Sequence, residues 1–124
     1  MGSARIETGM AFEPGTRSEL SPEEVQERVD RTIEDNEVAL FIKGTELMPQ
    51  CGYSQKALNL VGHHRDDYET VNVLDSLEAY REALAEHSGR ETIPQTFVDG
   101  EFVGGSDILE QLHEGGDLAE TLDG

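Results

Sequence analysis

The chain has 124 residues, 27 of them acidic and nine Lys or Arg, so its formal net charge at pH 7 is −18. This charge repels nucleic-acid phosphates and anionic lipid headgroups, so we expect neither nucleic acid nor a membrane as a partner. A single cysteine excludes a disulfide framework, and no apolar run is long enough to span a bilayer; we therefore expect a cytoplasmic protein.

The amino-terminal segment lacks a sustained apolar period. Residues 1–17 contain three glycines and a proline, so we expect a disordered or loosely attached tail, with Met10 as an alternative start and one domain over residues 18–124. From Ser21, the run Ser-Pro-Glu-Glu places a hydroxyl at an N-cap, proline at the first helical position and glutamate at the third. This pattern predicts a first helix that ends near Asp35.

The rest of the chain alternates between strand-type and helix-type patterns. The later helices are predicted at residues 51–63, 76–87 and 107–113, with further helix from 118 onward. The strands are predicted at residues 38–42 and 68–73 and at 96–98 and 101–103, where they flank an Asp-Gly hairpin turn. A parallel crossover followed by an antiparallel hairpin predicts an α/β fold with a four-stranded mixed sheet flanked by helices.

The only cysteine, Cys51, follows the first predicted strand and stands where the second helix begins. A cysteine at a helix N-terminus faces unpaired N–H groups and a partial positive charge, both of which favour the thiolate. Lys43, at the end of the preceding strand, would add a full positive charge. The alternative is an inert cysteine that fills an apolar space. The flanking proline, glycine and serine favour a reactive thiol.

Three motifs, in order, resemble the monothiol glutaredoxins. The run Cys-Gly-Tyr-Ser at 51–54 is similar to the family's usual Cys-Gly-Phe-Ser and follows Lys43. The segments Thr-Ile-Pro-Gln-Thr-Phe-Val at 92–98 and Gly-Glu-Phe-Val-Gly-Gly-Ser-Asp at 100–107 complete the pattern. The resemblance covers about residues 21–115 and implies a thioredoxin-like fold.

The resemblance also implies that the chain binds a low-molecular-weight thiol, either glutathione or a related γ-glutamyl thiol. Cys51 would supply the reactive sulfur, and Lys43 and Arg81 would hold the carboxylates of the thiol peptide. Tyr53 would keep the aromatic ring that the family places beside the cysteine. The alternatives are that Lys43 is a solvated charge at a strand end and that Arg81 is a helix-surface residue.

The two downstream motifs imply the opposite wall of the same groove. Ile93 would pair through its backbone with the thiol peptide, and the bond between Ile93 and Pro94 would be cis. Asp107, beside Gly105 and Ser106, would recognise the γ-glutamyl end. Ser106 and Asp107 would alternatively cap the last helix, which is compatible with ligand binding.

The number of cysteine sulfurs limits the kinds of metal site that one chain can form. A [2Fe-2S] cluster needs about four ligands, whereas one chain offers one thiolate. The resemblance implies a cluster shared by two protomers and two thiol molecules, so that the protein is a cluster-bridged homodimer when loaded and a monomer when empty. We expect storage of the cluster and its transfer to iron–sulfur recipient proteins. The alternatives are a thiol-dependent oxidoreductase that acts on mixed disulfides and a redox-inactive interaction module.

Two further features are open at the sequence level. His63 and His64 are predicted to end the second helix as solvated residues, with a metal role as the alternative. The excess of acidic residues predicts a halophilic source, such as a halophilic archaeon, because a Debye length of about 3 Å near 1 M salt would screen the repulsion. The alternative is an acidic protein of a mesophile.

Overall fold

The computed structural model describes residues 20–123, so the predicted tail at 1–17 lies outside the described residues. The helices are α1 (Pro22–Asp35), α2 (Gly52–His64), α3 (Leu77–Ser88), α4 (Ser106–Glu114) and α5 (Leu118–Leu122). The strands are β1 (Val38–Ile42), β2 (Glu69–Asn72), β3 (Gln95–Val98) and β4 (Glu101–Gly104). Among the helices of residues 20–123, none combines the length and apolar character needed to cross a bilayer.

Helix α1 begins as its sequence predicts. The Glu24 N–H donates to Ser21 Oγ at 3.1 Å, and the Ser21 N–H donates to Glu24 Oε1 at 2.9 Å. This reciprocal capping box satisfies two backbone donors that the first turn would otherwise leave free. The apolar side chains of Val25, Val29 and Ile33 recur at helical spacing and are all buried.

The start of α3 differs from the prediction. A 3-10 turn at Leu74–Ser76 precedes the helix, and Ser76 is its N-cap without making a capping hydrogen bond. The Ser76 hydroxyl instead accepts the Leu20 N–H at 2.9 Å. This contact joins segments 56 residues apart, and it ties the residue before α1 to the start of α3.

The sheet has the strand order β2-β1-β3-β4, with β1 parallel to β2 and the other neighbours antiparallel. This arrangement confirms the predicted four-stranded mixed sheet. The hairpin between β3 and β4 turns at Asp99 and Gly100, whose φ angles of 51° and 85° are both positive, as a tight Asp-Gly hairpin requires.

Two apolar layers cover the sheet, one on each face. All five residues of β1 are buried: Ala39 and Phe41 join the layer that contains α1 and α3, and Val38, Leu40 and Ile42 join the layer that contains α2, α4 and α5. A strand covered on both faces reads as a continuous apolar run, which is why the sequence predicts β1 so well.

The topology gathers the motif-bearing segments at one edge of the sheet. Ile42, at the end of β1, pairs with Asn72, at the end of β2, and Phe41 pairs with Gln95, at the start of β3. The end of β4 pairs with β3 at the same edge. The segments before α2, before β3 and before α4 therefore all lie at this edge, which we call the site edge.

Candidate functional site

Cys51 is the N-cap residue of α2, with extended backbone angles (φ −147°, ψ 133°), and its side chain is partly exposed. The sulfur makes no capping hydrogen bond, so the N–H groups of the first turn remain available to it. This placement at the start of a helix confirms the position predicted for the thiol.

The surroundings of Cys51 favour its charged form. Burial by itself raises the pKa of the thiol, but the N–H groups of Ser54 and Tyr53, the Ser54 hydroxyl and the charge of Lys43 together lower it below the usual value. Each of these groups stabilises negative charge on sulfur. Cys51 is therefore suited to act as a nucleophile or as a ligand.

Ser54 joins the end of β1 to the start of α2. It is fully buried, and its hydroxyl oxygen accepts the Lys43 N–H at 3.0 Å. Because that oxygen is already an acceptor, its proton is free to point at the sulfur of Cys51. The sequence marks Ser54 as the last residue of the Cys-Gly-Tyr-Ser run, and the structure adds this bridging role.

The loop between Lys43 and Cys51 folds back on itself. The Gln50 N–H donates to the Lys43 carbonyl at 2.8 Å, and the Gly44 N–H donates to Asn72 Oδ1 at 3.0 Å. The same Asn72 oxygen accepts the Leu74 N–H at 3.0 Å. Asn72 thus ties the loop to the end of β2, a supporting role that the sequence does not signal because the partners lie 28 positions apart.

Three large apolar side chains that lie within four positions of Cys51 in the chain are exposed to solvent. Leu47 is 92% exposed, Met48 68% and Tyr53 67%. Exposed apolar residues are ordinary when single, but a group of them beside a reactive residue is typical of an interaction surface.

Lys43 and Arg81 each follow one of the two parallel strands in the chain: Lys43 follows β1, and Arg81 follows β2. Lys43 follows β1 directly, and its charge acts on the Cys51 thiol. Arg81 lies in α3, where it forms an ion pair with Glu78 at 3.2 Å. Such a partly exposed pair contributes little to stability, so Arg81 can exchange Glu78 for another carboxylate at small cost.

The segment before β3 and the turn before α4, which the resemblance assigns to the opposite wall of the groove, lie against each other. The peptide bond between Ile93 and Pro94 is cis, as the resemblance implies. The Pro94 carbonyl oxygen lies 3.1 Å from where a Cβ on Gly105 would stand, so glycine allows the two segments to touch. The structure therefore brings Ile93, Pro94 and Gly105 together.

The start of α4 agrees with the capping alternative only for Asp107. The N-cap residue is Gly105, which has no side chain to make a capping hydrogen bond. Ser106 is buried in the first turn, and the exposed Asp107 carboxylate accepts the N–H of its neighbour Ile108 at 3.0 Å. Because Asp107 is exposed, its carboxylate is accessible to a cation.

Gln95 is a supporting residue that sequence reasoning missed. Its side chain is fully buried, and Nε2 donates to the carbonyls of Arg90 at 2.8 Å and Thr92 at 3.0 Å. These bonds fix the loop that leads into Ile93. A glutamine directly before the predicted strand at 96–98 is the signal that points to it, because an amide buried there needs partners.

Comparison with known proteins agrees with this geometry. A model of the glutaredoxin family matches residues 38–103. A monothiol glutaredoxin of Synechocystis sp. is 43% identical over 100 residues, which cover 81% of this chain and 92% of that protein. A bifunctional chloroplastic monothiol glutaredoxin of Arabidopsis thaliana is 41% identical over 120 residues; the match covers 95% of this chain and 41% of that protein.

The fold comparison gives the same result. The solution structure of a reduced apo glutaredoxin from poplar superposes with a TM-score of 0.69 at 36% sequence identity, covering 80% of this chain and 90% of that chain. This likeness confirms the thioredoxin-like fold, and together with the sequence relatives it shows that the chain belongs to the monothiol glutaredoxin family.

Proposed function

We propose that this protein holds a labile [2Fe-2S] cluster together with a low-molecular-weight thiol and passes it to iron–sulfur recipient proteins. The observation that carries the proposal is a sole cysteine, partly exposed at a helix N-terminus, whose pKa is lowered. A thiolate in this position is a ready ligand.

The number of ligands supports a shared cluster. Within residues 20–123, no group of three or more His, Cys, Asp or Glu side chains is placed to hold a metal ion. One chain therefore supplies Cys51 alone, and a cluster with about four ligands needs a second chain and two added thiols. The exposed Leu47, Met48 and Tyr53 beside Cys51 offer apolar surface for a second protomer or a recipient.

The charges around the groove support glutathione or a related γ-glutamyl thiol as the added ligand. Lys43 and Arg81 would bind its carboxylates, and the Asp107 carboxylate would bind its ammonium group, each as a charge-assisted hydrogen bond. The backbone of Ile93, next to the cis bond, would pair with the peptide in extended form. Tyr53, Gly105 and Ser106 would line the same groove.

Anaerobic reconstitution tests this proposal. Mixing the protein with ferrous iron, sulfide and glutathione should give a coloured dimer, whereas the unloaded protein should elute as a monomer in size-exclusion chromatography. Cys51→Ser should abolish the colour. Adding Ser88→Cys to that variant restores one thiol at the end of α3, and we expect no recovery, because the position of the thiol matters. Absence of colour across several thiols and salts would refute the cluster role.

The lowered pKa of Cys51 also favours a second function. The thiolate would attack a glutathionylated protein, take glutathione as a mixed disulfide and release the protein thiolate; a second glutathione thiolate would then release Cys51 and leave as glutathione disulfide. Rapid turnover of a small mixed disulfide by the protein without its cluster would favour this oxidoreductase role over the carrier role.

The net charge of −18 supports a halophilic source. A reducing compartment such as the cytoplasm would keep the Cys51 thiol free of disulfides.

We expect the melting temperature to rise by about 5 °C or more between 0.1 M and 1 M KCl, because the Debye length falls from about 10 Å to about 3 Å. Glu34→Gln with Asp35→Asn, at the carboxyl end of α1, should flatten this dependence. A melting temperature that falls as salt rises would contradict the halophile proposal.

A further inference from the structure

Three of the four histidines lie together where two helices end. His63 and His64 occupy the last turn of α2, and His113 occupies the last turn of α4. The ring centroids of His63 and His64 lie 4.9 Å apart, and that of His113 lies 5.7 Å from His63 and 5.3 Å from His64. Because His113 is 49 positions from His64, the fold creates this cluster.

The two helices that carry the cluster pack against each other. Val61 of α2 and Leu109 of α4 are fully buried in the same apolar layer, and a partly exposed ion pair joins Lys56 Nζ to Glu110 Oε1 at 2.6 Å. The buried contacts hold the two helices side by side. Since α2 has 13 residues and rises about 1.5 Å per residue, the cluster lies about 20 Å from the start of the helix and is separate from the thiol site.

The closest contact in the cluster joins His64 Nε2 and His113 Nδ1, which are 3.1 Å apart. In the absence of metal, the two nitrogens can share one proton. Two nitrogens bound to one ion at about 2.0–2.1 Å would stand about 2.9 Å apart at a right angle and about 3.3 Å apart at the tetrahedral angle. The observed separation lies between these values, so the two nitrogens already have the spacing that a shared metal ion requires. Rotation of the two rings would aim both lone pairs at the ion.

We propose that His64 Nε2 and His113 Nδ1 form a binding site for a divalent late first-row transition-metal ion, with water in the remaining coordination positions. The ring of His63 stands at 88° to His64 and 90° to His113, and residues 20–123 contain no set of three converging ligating side chains. The site therefore has two protein ligands, and His63 lies beside them without binding the ion.

The chemistry of the surroundings selects the ion. Two imidazoles favour Cu²⁺, Ni²⁺ and Zn²⁺ over Mg²⁺ and Ca²⁺, which prefer oxygen ligands. The net charge of −18 raises the local concentration of cations around the protein.

Calorimetric titration with Ni²⁺ tests the site. The full chain with Cys51→Ser is used, so that the thiolate does not compete, and excess Mg²⁺ occupies the surface carboxylates. We expect one Ni²⁺ per chain. His64→Gln and His113→Gln should each weaken binding about tenfold or more, since even residues that only support a ligand change affinity by 10–100-fold. His63→Gln should keep the affinity within about threefold. His87→Gln is the matched control, because His87 is bonded to Asp30, at 2.7 Å.

Pulsed electron paramagnetic resonance of the Cu²⁺-loaded protein gives an independent readout. Coupling to two imidazole nitrogens is expected, falling to one in His64→Gln. This measurement reports ligand identity even if a substitution loosens the helix end. Absence of Ni²⁺ binding, unchanged affinity in both His64→Gln and His113→Gln, or equal losses in His63→Gln or His87→Gln would overturn the proposal. The [2Fe-2S] cluster proposed for Cys51 should form normally in His64→Gln. The histidine site and the thiol site can therefore be disproved independently.

Discussion

Gly44→Ala should destabilise the protein by about 2–4 kcal/mol and displace the loop that carries Cys51. Gly44 has a φ of +101°, a conformation that side chains with a Cβ rarely adopt. A Cβ at this position would stand 2.6 Å from both Gln50 N and Met48 O. Both are backbone atoms, so relief requires the loop itself to move. The Gly44 hydrogen bond to Asn72 would be lost as the loop shifts.

Two other glycines serve as controls for that substitution. Gly89 also has a positive φ, of +76°, but nothing lies within 4 Å of a Cβ there, so Gly89→Ala should cost only about 1–2 kcal/mol of backbone strain. Gly52 is next to Cys51 and has open space, so Gly52→Ala should leave stability nearly unchanged. Denaturant unfolding and the rate of Cys51 alkylation are the measurements. Equal costs for Gly44→Ala and Gly89→Ala would show that the predicted clash with the loop is absent.

Elements with local signals are the ones that sequence predicts. The capping box at Ser21 involves residues three positions apart, the apolar run of β1 is continuous, and the Asp99-Gly100 turn lies within its own hairpin. In each case the interacting residues lie within a few positions of each other, so a short stretch of sequence is enough to predict the contact. The order of these elements predicts the mixed sheet, and the neighbours of Cys51 predict its position at the start of α2.

Contacts between segments that are distant in the chain have no such signal. Asn72 meets Gly44 across 28 positions, Ser76 meets Leu20 across 56, and His113 meets His64 across 49. Polar residues in these positions look like ordinary turn or surface residues until the fold brings their partners close. Sequence therefore identifies the reactive residue and its wall motifs, whereas the residues that hold them in place emerge only from tertiary packing.

Ser54→Ala should raise the pKa of Cys51 and also destabilise the protein. The Ser54 hydroxyl helps to lower that pKa, and its oxygen accepts the Lys43 N–H in a fully buried position. Removing it takes a donor from the thiolate and leaves a backbone N–H without its acceptor, which costs about 1–3 kcal/mol. Since only the thiolate reacts with iodoacetamide, the alkylation rate at neutral pH should fall, and the midpoint of its pH profile should move upward.

Ser88→Ala is the control that distinguishes a direct effect on the pKa of Cys51 from a general loss of stability. Ser88 Oγ donates to the Leu84 carbonyl and accepts the Arg90 N–H. Its loss therefore also removes local hydrogen bonds, but at the carboxyl end of α3 and not beside Cys51. We expect a similar loss of stability with an unchanged pH profile of alkylation. Ser54→Cys extends the test: a thiol at this position should close a disulfide with Cys51 under mild oxidation, which the natural chain cannot do. An unchanged Cys51 profile in Ser54→Ala would mean that the helix N–H groups and Lys43 alone lower its pKa.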